Sequence, residues 1–525
     1  MFVLLNPREY VALMGADAIP GDSLLRRTVF ACVEPPPVDA DDPHLELLTR
    51  AGAVFAFERG HVAALHRLGV AARLLRPGYS ESLDRFDPDA QRPIDIMVLG
   101  ESTPRRTRYL SRSARILARH NCLIQLAEPG PHPHDTTSYL GAGRWPLLAR
   151  TKILLNLHAT DDDHGLEWAA ALDAVHAGAV VVSEHSTGIV PLDVGQHLLV
   201  AAPDALAHVA DSLLRDPERL ASLRRQAYER LSTWIPYALP VSVLRAAIVE
   251  LVGEPLAEED LRAEAGSAGQ EVARRGDDVP VSPMGRSSGA PATTVPRGSA
   301  LPSGAVTHES PGWSTRRAPR VSVLCTLGAD ARQVAETLDS ISASRMRDLE
   351  VIAVHPAAAT AAGSAAAAWL CAAPRLAARI VAVAGEPGRG AMRTVAATVA
   401  RAPLCLVLDA GQHLFPRALD VLAGTLEATS AADFTYPIHT ATGAADVEQL
   451  GNVLGWDSER ERAEGRIRAP LLIRTDVMRA VAGATAGPRG GDHPDRILTG
   501  AVAQRGGRGQ LVPQILARRP PFTRG

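Results

Sequence analysis

The stretch Arg150–Glu184, RTKILLNLHATDDDHGLEWAAALDAVHAGAVVVSE, restricts the possible fold more than any other part of the chain. Ile153–Leu157 is an apolar run of strand length. Leu166, Ala169, Ala170 and Asp173–Ala177 recur at helical spacing, and Gly178 ends that helix. Ala179–Ser183 is a second run of strand character, dominated by valine. Two continuous apolar strands joined by a helix make a βαβ unit, which requires a parallel sheet covered on both faces. Ligands of such sheets lie at the carboxyl ends of the strands. Here that edge carries His158, Asp161, Asp162, Asp163, His164 and Glu167, polar groups that a plain packing loop does not need.

The alternation continues on both sides. Asp95–Gly100 reads as a strand ending in glycine, followed by Ser102–Arg106 and a helix from about Thr107 to His120. Leu123–Ala127 and His197–Ala202 are further strands. Pro203–Leu214 and Pro217–Leu231 are closing helices, with Asp204 and Asp216 as expected N-caps. Residues 91–253 therefore read as one doubly wound domain. Short apolar runs at Phe2–Leu5, Val29–Val33, Val54–Phe57 and Ala71–Leu75 suggest a small α/β region over 1–90.

From 254 to 319 the chain is rich in Gly, Pro, Ser, Ala and Arg and has no apolar period, so a disordered linker between independent domains is expected. Residues 320–525 are α/β again. Val321–Cys325, Leu349–Val354, Ala378–Val383 and Leu404–Leu408 are strands. Ala331–Ser342, Met392–Ala400 and Pro416–Ala428 are helices.

Composition excludes several function classes. At 525 residues the chain is too long for one core, and 46% hydrophobic with 22% charged residues is globular usage. A formal charge of -3 provides no basic field for nucleic acid. Five scattered cysteines form no CxxC pair, which fits a reducing cytoplasm rather than a disulfide or zinc framework. The first residues lack a basic segment before their apolar run, so no signal peptide is expected. Ala357–Ala373 is too short and alanine-rich for a membrane span. Peripheral membrane association stays open.

Two resemblances follow from particular blocks. DIMVLGESTPRR, KILLNLH, HGLEWAAALDAVHAGAVVVSE and SLLRDPERLASLRRQAYERL make residues 94–235 resemble the donor half of GT-B glycosyltransferases of the group 1 superfamily. The resemblance implies a nucleotide-sugar donor and assigns its ribose to Asp173, in LDAVHAG. The family's earlier glutamate would fall near Gly165, so Glu167 stands as the substitute. RVSVLCTLGADARQVAETLDSISASRMRDLEVIAV, GAMRTVAATVARAPLCLVLDAGQHLFPRALDVL and DHPDRILTGAVAQRGGRGQLVPQILARR make residues 320–525 resemble a family 2, GT-A glycosyltransferase. The family's metal-binding D-x-D is reduced here to Asp409-Ala410-Gly411. Its acidic pair is reduced to Pro494-Asp495, and His355-Pro356 replaces its nucleobase-binding acids. The resemblance implies Asp409 as a Mg2+ or Mn2+ ligand and Asp495 as general base.

Sugar transfer needs the leaving diphosphate neutralised, the acceptor hydroxyl deprotonated and the donor oriented. Arg105 and Arg106 lie where a strand delivers a loop to a helix start, a suitable anion site. Lys152, the only lysine, is a further donor-side candidate. Asp409, with His413 four residues on, is a thin oxygen set for a hard cation. His158 and His164 have no standard zinc spacing. Each residue also has a plain reading: a strand cap for Asp409, a solvated carboxylate for Asp495, a solvated helix start for Arg105 and Arg106, a flanking charge for Lys152.

The expectation is an α/β protein with a GT-B-like Rossmann-type region, a disordered linker and a GT-A-like domain. It would transfer sugar from a nucleotide-sugar to a glycan, lipid or protein acceptor. The alternative is an impaired homologue serving as a binding or scaffold module in glycan assembly. A dinucleotide oxidoreductase is disfavoured, because no G-x-G-x-x-G follows a strand.

Overall fold

The computed structural model describes residues 2–5, 7, 21–32, 43–127, 143–161, 165–252, 304–315, 318–373, 376–442, 448–485 and 494–520. The chain divides into two compact units, residues 1–78 with 236–300, and residues 79–235 with 301–525.

The first unit is a parallel sheet of β1 (Phe2–Leu5), β2 (Thr28–Cys32), β3 (Ala53–Ala56) and β4 (Ala72–Leu74), in chain order. Helices α1 (Pro43–Arg50) and α2 (Arg59–Arg67) bury Leu47 and Leu65 against Phe30 and Val54 on one face. On the other face, Val29, Ala31 and Phe55 meet Ala247 of helix Ala238–Val252, flanked by Leu244 and Leu251. A parallel sheet needs cover on both sides, and this distant helix supplies the second layer. The unit boundary therefore falls at Gly78, and the helix at 238–252 joins the N-terminal sheet rather than the domain expected over 91–253.

The second unit contains two sheets. The first comprises β5 (Ile94–Glu101), β6 (Cys122–Ala127), β7 (Thr151–Asn156), β8 (Val180–Glu184) and β9 (Leu199–Ala201). Helix α3 (Pro104–Arg112) follows β5, α4 (Trp168–His176) joins β7 to β8, and α5 (Pro203–Leu214) and α6 (Pro217–Trp234) close the layer. All pairings are parallel, in the order β6-β5-β7-β8-β9. One face packs Ile96, Val98, Ile153 and Val180 against Leu110, Leu206 and Leu213. The other packs Met97, Leu154 and Val181 against Trp168, Leu172 and Leu231. Each such side chain contributes about 1.5–3 kcal/mol of burial.

Helix starts depart from expectation in two places. α3 begins at Pro104 rather than Thr107, because Thr103 caps it and proline occupies its first position. It breaks at Ser113 and a short turn of helix, Ala114–Leu117, follows. Asp216 caps α6 by accepting from the Arg219 N–H at 3.0 Å. Asp204 is instead inside the first turn of α5, where Ala202 holds the cap position and Pro203 is the first helical residue.

The second sheet is assembled from β10 (Gly304–Glu309), β11 (Val321–Thr326), β12 (Leu349–Pro356), β13 (Ala377–Val383), β14 (Leu404–Asp409), β15 (His413–Leu414), β16 (Phe434–Thr442), β17 (Glu448–Gly451), β18 (Leu471–Arg474) and β19 (Gly509–Arg519). Its order is β10-β13-β12-β11-β14-β18-β16-β19-β15, with β17 paired to β16. β13, β12, β11 and β14 form a parallel core, and β18 joins β14 antiparallel. Helices α7 (Ala331–Ser342), α8 (Thr360–Ala372), α9 (Arg389–Val399), α10 (Ala418–Ala428) and α11 (Pro494–Gln504) cover it.

Most of the expected linker lies outside the described residues. Its last part is structured: β10 pairs antiparallel with β13, and the helix Pro311–Thr315 buries Trp313. Arg379 and Arg401 lie over that indole at 4.3 and 4.0 Å, so one aromatic residue anchors the end of a polar segment. Nor are the α/β layers on either side of the linker independent. Ile438 and Ile515 belong to the same apolar cluster as Ile96, Val98 and Ile124, and Gln514 Nε2 donates to Asn121 Oδ1 at 2.9 Å. Linker composition describes how the chain crosses, not whether its two ends pack together. Among the described residues no helix is long and apolar enough to cross a membrane.

Candidate functional site

Numbered along the chain, the five-stranded sheet has the order 2-1-3-4-5, so its strand order reverses between β5 and β7. Crevices form outside the carboxyl ends of strands at such a reversal. Here β5 ends in Gly100-Glu101, β7 runs out into Leu157-His158, and α3 starts at Pro104. Gly100 has φ +141°, and a Cβ there would lie 2.5 Å from Arg106 Nη1. Glycine is thus required for the guanidinium to fold back under the turn. Arg106 Nε donates to the Leu157 carbonyl at 2.9 Å and Nη1 to the Glu101 carbonyl at 3.2 Å, while Nη2 bonds Glu167. It clamps the β5 and β7 ends together.

Arg105 faces the edge itself. Its Nη1 and Nη2 donate to both oxygens of Glu184, at 2.6 and 2.5 Å. Nη1 also meets the His158 carbonyl at 3.1 Å, and Nε donates to Asp161 at 2.6 Å. Burial pushes the Glu184 carboxyl up, but the Arg105 bonds and charge outweigh it and hold it below the usual carboxylate range. Those bonds raise Arg105 in turn. Glu184 also accepts the His158 N–H at 3.0 Å. Behind it, His158 Nε2 meets Ser186 Oγ at 2.9 Å, Ser186 meets Ser183 Oγ at 3.0 Å, and Asn156 donates to Ser183 at 2.9 Å. The edge is a connected polar network with one exposed arm, since Asp161 is 80% exposed and Arg105 18%.

The expected donor residues are only partly gathered. Arg105, Arg106, Glu167, His158 and Asp161 converge; Asp162, Asp163 and His164 lie outside the described residues. Lys152 is the second residue of β7, at the amino edge of the sheet, and pairs with Asp95 near the start of β5 at 2.7 Å. Asp173 occupies the last turn of α4, which leads into the amino end of β8, and pairs with Arg144 at 2.5 Å. Burial raises its pKa despite that partner. A parallel sheet puts these two residues at the edge opposite Arg105. Glu184, Ser183 and Ser186 escaped the sequence reading; the acidic and hydroxyl residues closing the valine run VVVSEHS were their signal.

The second sheet has its own reversal, between β11 and β14, where Thr326 and Asp409 pair across the strands. Asp409 accepts from Thr326 Oγ1 and, at 2.8 Å, from Arg393 Nη2. The same Nη2 donates to Asp495 at 2.7 Å, and Asp495 also accepts the Ala469 N–H at 3.0 Å. Burial alone would lower Arg393, but Asp409 and Asp495 outweigh it and keep the guanidinium charged. Its Nε and Nη1 make no hydrogen bond among the described residues. Asp495 and Arg393 are fully buried, and Arg519 Nη1 lies 3.7 Å from Asp495. His413 does not join Asp409; it faces Glu336 at 3.5 Å.

A divalent cation needs several free oxygens. Here both carboxylates bond Arg393, with Arg389 3.9 Å from Asp409 and Arg519 3.7 Å from Asp495, and a pair so surrounded by guanidiniums does not fit such an ion. Among the described residues no group of three or more His, Cys, Asp or Glu side chains converges as metal ligands. Arg393 was the signal that sequence reasoning passed over: an arginine in the middle of the apolar helix segment GAMRTVAATV.

Strand order and site together define a multidomain α/β protein with a Rossmann-type parallel sheet and a polar cluster at its switch point. No protein-family model and no curated protein matches the chain. Among solved structures it is similar to S. aureus TarS 1-349, at 14% identity and TM-score 0.31, covering 38% of this chain and 60% of that one. It is also similar to Anabaena Alr3699/HepE in complex with UDP and glucose, at 13% identity and TM-score 0.36, over 47% and 78% of the two chains. The HepE structure with UDP-glucose gives 14% identity and TM-score 0.35, over 46% and 78%. The chain thus spans less than two thirds of the TarS chain.

Proposed function

We propose that the chain is a glycosyltransferase-type protein that takes a nucleotide-sugar donor at the β5/β7 edge and transfers the sugar to a hydroxyl acceptor. The observation that carries this reading is Arg105, fixed by both oxygens of Glu184 beside the first turn of α3. In the transfer, the bond from the anomeric carbon to the diphosphate oxygen breaks as the bond to the acceptor oxygen forms, and the acceptor's hydroxyl proton passes to the departing diphosphate or to solvent. Negative charge then grows on the diphosphate, and a fixed cation stabilises it. The bidentate pair orients Arg105 in advance, while its bond to exposed Asp161 is cheap to exchange for phosphate oxygen. Arg106 and Glu167 hold the turn beneath the donor. Blocks resembling GT-B donor halves, GESTPRR among them, support the same assignment.

The second sheet favours the module reading. With Asp409 and Asp495 both on Arg393, neither a metal ligand nor an accessible base is offered at its switch point. It serves this protein as a structural or binding layer.

Calorimetry of the intact chain with a panel of nucleoside diphosphates, with and without Mn2+, tests both statements. Expected is Mn2+-independent binding, weakened about tenfold or more by Arg105→Ala. Binding that requires Mn2+ and disappears in Asp409→Ala would move the donor to the second sheet. Silence throughout would remove the transferase reading.

A further inference from the structure

Away from both switch points, a cavity of about 470 Å3 opens where the two sheets of the second unit meet. α3 and the turn after it contribute Arg112, Arg115 and Arg119 to its wall; the opposing layer contributes Arg345, Arg417 and Arg518. No aspartate or glutamate lines it. Among the described residues none of the six makes an ion pair or a side-chain hydrogen bond. Several arginines elsewhere in the unit are paired with carboxylates: Arg105 with Glu184, Arg320 with Glu427, and Arg401 with Glu350. The whole chain has a formal charge of -3, so this cavity is a local reversal of sign.

Like charges gathered around a concavity repel one another, and at physiological salt screening is effective only beyond about 8 Å. Cavities lined by one sign concentrate ions of the other. His413, on the same wall, reports that field: burial first, then the charge of Arg518, hold it below its ordinary value despite Glu336. The chemistry of the lining narrows the ligand. Guanidinium forks match phosphate oxygens bidentately, and a single carboxylate would leave most of the charge unmet. The volume exceeds that of one phosphate, and Ala118, Leu414 and Phe415 add an apolar wall for an organic group.

We propose that this cavity binds an organic diphosphate, with Arg112, Arg115, Arg119, Arg345, Arg417 and Arg518 around its phosphates. The site shares no residue with the β5/β7 edge and does not rest on the donor assignment. It places a second phosphate-bearing molecule at the seam between two α/β layers.

The test is calorimetry of the intact chain with inorganic pyrophosphate, a nucleoside diphosphate and a prenyl diphosphate. Pyrophosphate and at least one organic diphosphate are expected to bind. Exposed Arg115 and Arg518 are replaced together (R115A/R518A), with a melting curve to confirm folding. Affinity is expected to fall about tenfold or more. Exposed Arg225, on α6 and outside the cavity, serves as control, and Arg225→Ala is expected to change nothing. Measured in the Arg105→Ala background, tighter binding of the nucleotide or of the prenyl compound identifies a soluble or a lipid-borne source. Binding at this cavity persists in Arg105→Ala, which separates it from the donor site. The proposal is overturned if none of the three probes binds, or if the double variant binds them all as tightly as the parent.

Discussion

The second unit contains two switch points built on the same rule and finished in opposite ways. At the β5/β7 edge, carboxylates and guanidiniums meet with one arm in solvent, as the 80% exposure of Asp161 shows. At the β11/β14 edge, Arg393 is sealed between Asp409 and Asp495 with no exposure at all for Arg393 or Asp495. Strand order offers a crevice; what stands in it decides whether a ligand can enter. A partly solvated ion pair exchanges partners at small cost, whereas a buried one is strongly destabilised by losing either member. The first edge is suited to binding and the second to holding its own sheet together.

The sharpest way to break this comparison is Arg393→Met. It leaves two carboxylates facing each other in the core, with an expected loss of about 3–5 kcal/mol in urea unfolding. Combining it with Asp409→Asn and Asp495→Asn removes the facing carboxylates and restores part of that loss; buried Arg519, 3.7 Å from Asp495, then loses that carboxylate's charge, so recovery is incomplete. A buried triad that tolerates Arg393→Met alone would have to be open to water, contrary to the assignment.

Acid reaches the same region next. Burial, reinforced by Arg519 and Arg468 and opposed by Asp495, holds His439 down at about 3. The unfolded chain binds that proton from about 6.5 downward while the native chain refuses it. Stability is therefore complete above about pH 6.5 and falls by about 1.4 kcal/mol per pH unit toward pH 3. His439→Gln should flatten this part of a stability-against-pH curve; an unchanged slope would assign it to other groups.

Gly100→Ala probes the first edge. It forces a side chain into φ +141° and against Arg106, at an expected cost of about 2 kcal/mol together with weakened nucleoside diphosphate binding. Asp161→Asn has the smallest effect. Neutralising an exposed partner changes stability by less than about 1 kcal/mol, and loosening its hold on Arg105 Nε should tighten nucleoside diphosphate binding. If Asp161→Asn weakened binding instead, Asp161 would belong to the ligand site and Arg105 would not.

The strands were legible because continuous apolar runs of strand length, such as ILLNL and AVVVS, have few alternatives in a parallel sheet. Helices were legible by period, although the α3 start was displaced by the Thr103-Pro104 cap. The site was legible where it is local: Arg105, Arg106, His158 and Glu167 flank strand ends and converge. Lys152 and Asp173 were grouped with them by residue type and family position, and the sheet separates them because its two edges carry different ends of each element. Glu184 and Arg393 were missed for a related reason. Their importance lies in partners 79 and 102 residues distant, Arg105 and Asp495, which no local window contains.

The sequence by itself determined the α/β class, most of the element order over residues 94–235 and the places there where strands hand over to polar loops, because hydrophobic periodicity is a property of neighbours along the chain. Tertiary structure alone decided that the helix at 238–252 returns to the first sheet, that the layers flanking the linker share a core, and that a guanidinium occupies the second switch point. Those outcomes depend on which charges and apolar faces meet across long separations, where desolvation and pairing rather than local propensity set the free energy.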